Sequence, residues 1–412
     1  MSRVFLRTLE NPSRIKIASE WVRLEQSHSN RPVVLVASTF SADPIRPYLG
    51  WWLAQFGINV DVRPFSLHQI DEMLLNSSGE LRQGNAVAKI LLLRAEDIFA
   101  DFDQAARNWD AFLSGAKVRI AQLARRIADC IPADSAIWWV SNLPCHSSWN
   151  APALQENLAE WYTAVHAELN LCWMKAIQSI PGAFLFDFNT VLNRFGVENA
   201  LDPTLWLLAR VPYSEKFYAV LGKQLARVVR ASLRAPKKAM VVDCDNVLWG
   251  GVIGEDELSG IALGGDAPGN AYCQLQRYLL DLRARGILLC LCSKNNETDV
   301  WEVFERHPEM LLKKEDFAAV RINWKSKAEN LLELAAELNI SVEDLVLIDD
   351  EAVEIAEVNS RLPNVLAIQL PEEPSVRVNF LSQLWAFDSV TLTAEDRRRS
   401  DMLLQEQERK TI

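Results

Sequence analysis

Ten short apolar runs, each followed by a helical pattern, are the feature that most constrains the fold of this chain. Runs of this length between turn signals are typical of strands that are buried on both faces. Strands that alternate with helices form parallel α/β sheets. We therefore predict the α/β fold class, with two Rossmann-like three-layer domains. The predicted strands are Val33–Ala37, Ile58–Val62, Lys89–Leu93, Ala136–Val140, Ala183–Asp187, Ala239–Val242, Ile287–Cys292, Phe317–Ile322, Leu345–Ile348 and Val365–Ile368.

A boundary between the two series of strands is expected near the middle of the chain. The 412 residues exceed the size of a typical single domain. A helical pattern and then a Pro236-Lys237-Lys238 break precede the second series. We predict an N-terminal α/β domain over 1–210, a helical connector over 211–236, a C-terminal domain over 237–385 and a helical tail over 386–412.

Charge and cysteine usage exclude several classes of function. The formal net charge is −11, which disfavours a nucleic acid or an anionic membrane as a partner. No apolar run approaches the ~18 residues that span a bilayer. The seven cysteines are scattered without a C-x-x-C pair, and the N-terminus shows no signal-peptide pattern. These features predict a soluble protein in the reducing cytoplasm.

Two aspartates one residue apart, Asp243 and Asp245, end the first strand of the second series. Because a strand alternates its faces, side chains at i and i+2 can point at the same site. Two carboxylates at one site repel each other unless a cation or a proton lies between them. Mg²⁺ suits such a pair together with phosphate oxygens. One aspartate can attack phosphorus while the other moves a proton, which predicts phosphoryl chemistry.

Three further strand ends of the second half also finish in polar residues. Ser293 and Lys294 offer a hydroxyl and an ammonium for phosphate oxygens, Lys327 opens a helix, and Asp349 and Asp350 form another acidic pair. Open parallel sheets gather ligand groups at the carboxyl ends of their strands. Each motif alone is weak, but the four in this order predict a single site.

This order of motifs resembles that of the haloacid dehalogenase (HAD) superfamily of phosphohydrolases. The resemblance implies that Asp243 is the nucleophile and forms an aspartyl phosphate, with Asp245 as general acid and base. It implies that Ser293 binds the transferred phosphoryl group and that Lys327 balances its charge, with Lys325 as the alternative. The Mg²⁺ ligands are then expected among Asp243, Asp245, Asp349 and Asp350.

Longer motifs resemble the FkbH-like branch of that superfamily. They are residues 243–256, Cys292-Ser293-Lys294-Asn295-Asn296, Asn323-Trp324 with Lys327, and Thr393–Arg397. The resemblance implies a glyceryl transferase and phosphatase that takes D-1,3-bisphosphoglycerate and loads the glyceryl unit onto an acyl carrier protein for polyketide-type biosynthesis. It suggests Cys292 as an acyl-carrying thiol, although a buried packing cysteine is an equal alternative. Trp249, Lys294 and Asn295 are expected to contact the substrate.

The spacing of the motifs leaves no room for a lid domain. Asp245 and Ser293 are 48 positions apart, and Ser293 and Lys327 are 34 apart. We therefore expect a capless HAD-like domain with an open site. One departure from the family pattern follows Asp350, where residues 351–355 read Glu-Ala-Val-Glu-Ile instead of Asn-Pro-x-Glu-Arg.

The first half resembles the SGNH-hydrolase-like region that precedes FkbH-type domains. Ser38 and Asn142 stand where such a hydrolase has its nucleophile and an oxyanion-hole residue. A working site also needs a late Asp-x-x-His to activate the serine, and the sequence has none. We expect a degenerate domain used for docking. For the whole chain, a phosphatase of a small phosphorylated metabolite and a non-catalytic assembly-line scaffold stay open as alternatives.

Overall fold

Two structural units make up the part of the chain that the computed structural model describes, which is residues 14–25, 31–66, 74, 81, 86–99, 109–131, 136–144 and 156–390. One unit lies within residues 13–233 and the other within 234–390. Each contains one five-stranded sheet in which all strands are parallel. Flanking helices complete two three-layer α/β units, which confirms the predicted fold class.

The N-terminal unit has the strand order β2-β1-β3-β4-β5. Its strands are β1 (Val33–Ser38), β2 (Asp61–Ser66), β3 (Ala86–Leu92), β4 (Ile137–Ser141) and β5 (Ala183–Phe186). Its helices are α1 (Arg14–Glu25), α2 (Arg46–Gln55), α3 (Ala95–Ile98), α4 (Trp109–Cys130), α5 (Glu156–Gln178), α6 (Phe188–Phe195), α7 (Val197–Ala200), α8 (Pro203–Ala209) and α9 (Glu215–Leu233).

Strand β2 begins three residues later than the sequence pattern predicts. The observed strand includes Pro64, which has no N–H to donate and which a strand-propensity argument rejects. The position is tolerated because β2 is an edge strand that pairs only with β1. An edge strand has one side without a ladder partner, so the missing donor costs no hydrogen bond there.

Helix α9 packs within the N-terminal unit, although its sequence suggested a connector. Its Gly222 lies so close to helix α2 that an added Cβ would meet the Tyr48 side chain at 2.7 Å and the Leu49 backbone at 2.9 Å. Tyr48 also donates a hydrogen bond to Glu215 (2.7 Å), and the Tyr218 hydroxyl donates to the backbone oxygen of Ser41 (2.8 Å). Close packing and these two bonds fix α9 on the N-terminal unit.

The C-terminal unit has the strand order β10-β9-β6-β7-β8, with β6 at the centre. Its strands are β6 (Ala239–Val242), β7 (Leu288–Ser293), β8 (Phe317–Ile322), β9 (Leu345–Asp349) and β10 (Leu366–Gln369). Its helices are α10 (Ile253–Gly260), α11 (Gly269–Ala284), α12 (Glu297–Arg306), α13 (Lys327–Glu337), α14 (Ala352–Arg361) and α15 (Arg377–Leu381).

The connections between the strands of the C-terminal unit contain no inserted domain. All of residues 234–390 are described, and the segments between β6, β7 and β8 consist of loops with α10, α11 and α12. Helix α10 is interrupted at Glu257, which has φ 55°. No lid domain is therefore inserted between the strands within residues 234–390, as the motif spacing predicted.

No helix in the described part of the chain is both long and apolar enough to cross a membrane. Residues 391–412, which include the Thr393–Arg397 motif and most of the predicted tail, lie outside the described residues.

Candidate active site

Asp243 lies immediately after the central strand β6, at the carboxyl edge of the sheet, and is only 7% exposed. Its Oδ2 receives the Lys327 ammonium at 2.9 Å. Its Oδ1 is buried and has no hydrogen-bond partner among the described residues. Since a buried carboxylate oxygen without a donor is costly, this atom is placed to take a cation or a reacting group.

Lys327 reaches the site from the first residue of α13, whose N-cap is Ser326. The lysine is almost fully buried and bridges Asp243 and Asp349. Burial opposes its charge, but the two carboxylates more than offset that effect and raise the pKa of Lys327 above its ordinary value. Lys325, the alternative from the sequence, is exposed and pairs with Glu333 at 2.8 Å. The structure therefore brings Lys327, and not Lys325, to Asp243.

Three carboxylates converge at this edge of the sheet. Asp243, Asp349 and Asp350 each place an oxygen within 4.8 Å of the other two. Burial, with repulsion from Asp243 as the next cause, raises the pKa of Asp349 and raises that of Asp350 to about 6. A divalent cation would remove this repulsion, and carboxylate oxygens are the ligands that Mg²⁺ prefers. The residues present fit such an ion.

Asp245 was predicted both as a metal ligand and as the general acid and base, and it lies outside this cluster. Its Oδ1 accepts hydrogen bonds from the indole N–H of Trp249 (2.9 Å) and the backbone N–H of Ile253 (3.1 Å). Its Oδ2 accepts one from Asn295 (2.7 Å). Burial raises the pKa of Asp245 despite these bonds. An oriented carboxyl group with a raised pKa is suited to proton transfer.

Trp249 and Asn295, which were expected to contact the substrate, both bind Asp245. Trp249 is fully buried and packs edge-on against Phe304, with ring centroids 6.1 Å apart. Asn295 is also buried. In this structure the two side chains therefore position a candidate catalytic group.

Ser293 and Lys294 end strand β7 beside Asp243. Ser293 is buried at the carboxyl edge, next to the central strand. The Lys294 ammonium pairs with the buried Glu354 of α14 at 2.5 Å. Because β7 and β9 flank β6 in the sheet, this ion pair joins the end of β7 to the first turn of α14, which follows β9 on the other side of β6.

Cys292 lies on the opposite face of β7 from Ser293 and belongs to the hydrophobic core. It packs in one cluster with Cys290 and with apolar residues of α13 and α14, and its side chain is fully buried. Burial raises the pKa of its thiol to about 12. The thiolate is the nucleophilic form, so this placement argues against Cys292 as an acyl-carrying residue.

Arg377 is a buried residue that the sequence gave no reason to select. It donates from Nη1 to the backbone oxygen of Asn246 (2.5 Å) and from Nε to that of Pro371 (2.8 Å). Asn246 itself has φ 53° and accepts a hydrogen bond from the backbone N–H of Gly251. Arg377 thus holds the loop that follows Asp243 and Asp245, although 131 positions separate it from Asn246.

The candidate SGNH-like residues of the N-terminal unit are bonded to neighbours within that unit. The Ser38 hydroxyl is fully buried and donates to the backbone oxygen of Phe40 (2.5 Å). Asn142 donates to Asp187 (2.7 Å) and accepts from the backbone N–H of Asn189 (3.1 Å). No base contacts Ser38 in the part of the chain that the structure describes.

Thr190 stands three residues after Asp187, where an Asp-x-x-His pair would place its histidine. Its hydroxyl donates to Asp187 at 2.6 Å, and Asp187 caps helix α6. These bonds outweigh burial and lower the pKa of Asp187. His68 and His146 lie outside the described residues, and His166 contacts Asn170 at 2.9 Å. A threonine cannot act as the base that a hydrolytic serine needs.

Comparisons with known proteins agree with this architecture. No protein-family profile matches the chain, and no curated protein matches it. The crystal structure of the N-terminal part of the Bacteroides fragilis protein BF1531, which contains a phosphatase domain and was complexed with Mg, is similar to this chain. Its TM-score is 0.75 at 23% identity, over 90% of this chain and 99% of that one. The chain therefore shares its fold with that protein over most of its length.

A second solved structure is more distant. It is the salicylyl-acyltransferase SsfX3 from a tetracycline biosynthetic pathway, which is 15% identical over 50% of this chain and 56% of that chain. Its TM-score of 0.32 is too low to support an inference about the N-terminal unit.

Proposed function

We propose that this protein is a Mg²⁺-dependent phosphohydrolase that forms an aspartyl phosphate on Asp243. The observation that carries this proposal is the buried Oδ1 of Asp243, which has no partner among the described residues, beside Lys327 and two further carboxylates. Charged groups held out of water without full compensation are typical of functional sites. The Mg²⁺ complex of the similar Bacteroides fragilis structure supports the same reading.

The ligand residues of the ion would be Asp243, Asp349 and Asp350. The bound ion supplies positive charge that stabilises the phosphoryl oxygens as charge develops on them. The Lys327 ammonium contacts the carboxylate of Asp243 at 2.9 Å and adds positive charge beside the position of the phosphoryl group. Ser293 lies at the same edge and offers a hydroxyl to the transferred group.

The proposed hydrolysis needs two successive displacements at phosphorus. In the first, the Asp243 carboxylate attacks phosphorus, the bond from phosphorus to the leaving oxygen breaks, and Asp245 gives a proton to that oxygen. In the second, Asp245 takes a proton from water, which attacks the aspartyl phosphate and releases phosphate and the free Asp243 carboxylate. The raised pKa of Asp245 suits the donor role in the first displacement.

Phosphate release from acetyl phosphate in the presence of Mg²⁺ tests the proposal. Asp243→Asn should lower turnover by at least about a thousandfold, because the amide is not a nucleophile. Asp266→Asn is the matched control, since it makes the same change at an exposed position in this unit. Turnover that survives in Asp243→Asn would remove Asp243 from the mechanism.

We further propose that the substrate is an acyl phosphate, D-1,3-bisphosphoglycerate, and that the glyceryl unit is passed to the thiol of an acyl carrier protein. The FkbH-like motifs at 243–256 and 292–296 support this finer proposal. The absence of an inserted lid over residues 234–390 leaves room for an acceptor presented on a protein. Because Cys292 is buried, the carrier thiol itself would attack the C1 acyl carbon as the C1 phosphate leaves. Asp243 would then take the 3-phosphate from the carrier-bound unit, which leaves a glyceryl thioester.

Intact-protein mass spectrometry of carrier, bisphosphoglycerate, Mg²⁺ and this protein separates the finer proposal from its rivals. A glyceryl mass on the carrier supports transfer. Phosphate release without that mass supports a simple phosphatase, and neither product supports a scaffold. Cys292→Ala should load the carrier at the wild-type rate, and a loss of loading would restore Cys292 as the covalent carrier.

A further inference from the structure

Trp324 is exposed at the rim of the proposed active site. Its side chain is 71% exposed, and no other aromatic residue whose burial the structure describes falls in the exposed class. It lies in the loop between β8 and α13, three residues before Lys327. Three extended residues span at most about 10 Å. The backbone of Trp324 therefore lies within about 10 Å of that of Lys327, whose ammonium contacts Asp243, and the tryptophan is largely exposed to solvent.

The loop that carries Trp324 is held firmly on both sides of the tryptophan. The side-chain amides of Asn323 and Asn330 donate to each other at 3.2 and 3.1 Å, and Asn330 is fully buried. The backbone N–H of Lys325 also donates to Asn323 (2.9 Å). The loop is therefore ordered, and it holds the indole in its exposed position.

A chain of hydrogen bonds leads from Asp245 to Trp324. Asn295 donates to Asp245 (2.7 Å) and accepts from the backbone N–H of Asn296 (3.0 Å). The indole N–H of Trp324 points to the side-chain oxygen of Asn296 at 3.4 Å. This contact orients the edge of the ring, while most of the residue stays exposed to solvent.

The position of the general acid determines where the leaving group must lie. A general acid has to be within hydrogen-bond reach of the oxygen that it protonates. With Asp245 in that role, the leaving oxygen lies beside Asp245. Whatever is attached to that oxygen can then follow the wall formed by Asn295 and Asn296 outward to the indole.

We propose that Trp324 is a specificity-determining residue that contacts the organic part of the leaving group. It selects phosphorylated substrates whose leaving group carries a planar or apolar segment several atoms beyond the scissile bond. This inference rests on the proposed function, because it takes Asp245 as the general acid. Indole faces bind such segments through apolar burial and stacking.

Two phosphonates, which cannot be hydrolysed, measure how much the contact with Trp324 contributes to binding. Propylphosphonate and 3-phenylpropylphosphonate share the head group and the alkyl chain and differ only in the terminal ring. Their dissociation constants are measured by calorimetry in the presence of Mg²⁺. We expect the ring to tighten binding to the wild-type protein about five- to tenfold. Trp324→Ala should reduce this ratio to about one, and Trp324→Phe should keep most of it.

Two further variants test the geometry. Asn296→Ala should lower the ratio by about two- to threefold, because the indole loses the partner that orients it. Leu332→Ala is the matched control, since it truncates an exposed apolar residue of the following helix, α13, and should leave the ratio at its wild-type value. The inference is overturned if Trp324→Ala keeps the ratio, if the wild type shows no preference for the ring, or if it binds neither phosphonate.

Acetyl phosphate turnover by the wild type is measured in parallel. Ring preference that depends on Trp324, without phosphate release, would reject the proposed function and keep the binding contact. Phosphate release without ring preference would keep the proposed function and reject the contact with Trp324.

Discussion

The carboxyl edges of the two sheets are built in the same way, but their polar side chains differ in whether they have hydrogen-bond partners. Each edge follows five parallel strands and collects polar residues there. In the N-terminal unit Asn142 donates to Asp187, Thr190 also donates to Asp187, and Ser38 donates to a backbone oxygen. In the C-terminal unit a buried oxygen of Asp243 has no described partner, and further carboxylates lie close by. Polar residues at strand ends therefore do not identify a site; unbalanced buried charge does.

The largest effect should come from removing the cation of the C-terminal edge. Lys327→Met leaves Asp243 and Asp349 buried without their shared ammonium, and we expect a loss of about 3–5 kcal/mol in the free energy of unfolding. Urea denaturation measures this change. Lys325→Met removes an exposed pair with Glu333 and should cost less than about 1 kcal/mol. Equal losses of unfolding free energy in the two variants would mean that Asp243 and Asp349 do not depend on the buried ammonium of Lys327.

Metal addition should stabilise the C-terminal unit alone. An ion that binds only the folded state at 100 times its Kd adds about 2.7 kcal/mol to the free energy of unfolding. Hydrogen exchange of β6 and β9 should slow on addition of Mg²⁺ and recover on chelation. Exchange of β1 and β3 should not change. Asp350→Asn should weaken the effect, and slowing in both sheets alike would contradict the assignment of the ion to one edge.

The two units should also differ in the pH response of a buried lysine. Burial, with repulsion from Arg227 as the next cause, lowers the pKa of Lys223 to about 8, whereas the pKa of Lys327 is raised. A lowered folded pKa means that the unfolded state binds more protons between about pH 8 and 10.5. Stability of the N-terminal unit should therefore rise with pH in this range.

Urea denaturation at pH 7.5 and pH 9.5 measures that response, which we expect to exceed about 1 kcal/mol. Lys223→Met should remove most of the increase. Arg227→Met, which takes away the neighbouring charge and keeps the lysine, should reduce it only in part. An increase of the same size in Lys223→Met would assign the response to another group.

The smallest effect is expected for the serine of the N-terminal edge. Ser38→Ala removes one internal hydrogen bond and leaves the backbone oxygen of Phe40 without that donor, a change of about 1 kcal/mol. Phosphate release and carrier loading should stay at the wild-type rate. A strong loss of either activity would show that the N-terminal edge takes part in chemistry, and the comparison between the two edges would fail.

The placement of the strands could be predicted because it depends on local apolar pattern. Nine of the ten predicted runs coincide closely with observed strands, and β2 differs because Pro64 is acceptable only at a sheet edge. The proximity of Asp243, Lys327 and Asp349 also followed from sequence, since parallel strands bring their carboxyl ends to one edge.

Side-chain direction and long-range partners could not be predicted in the same way. Cys292 and Ser293 are adjacent in sequence, yet Cys292 packs in the hydrophobic core whereas Ser293 is not part of that cluster and ends β7 at the carboxyl edge. Trp249 turns inward to Asp245, and Trp324 stays outside. Arg377 reaches the loop after β6 from far along the chain.

The sequence by itself determined two α/β units and the edge at which polar groups meet, because strand periodicity and parallel topology are local rules. Only the tertiary structure decided which of those groups are neutralised by neighbours and which are left with unbalanced charge. That outcome depends on distances of a few ångströms between residues from different strands. Hydrogen bonds satisfy the polar groups of the N-terminal edge, whereas three carboxylates meet around Lys327 at the C-terminal edge.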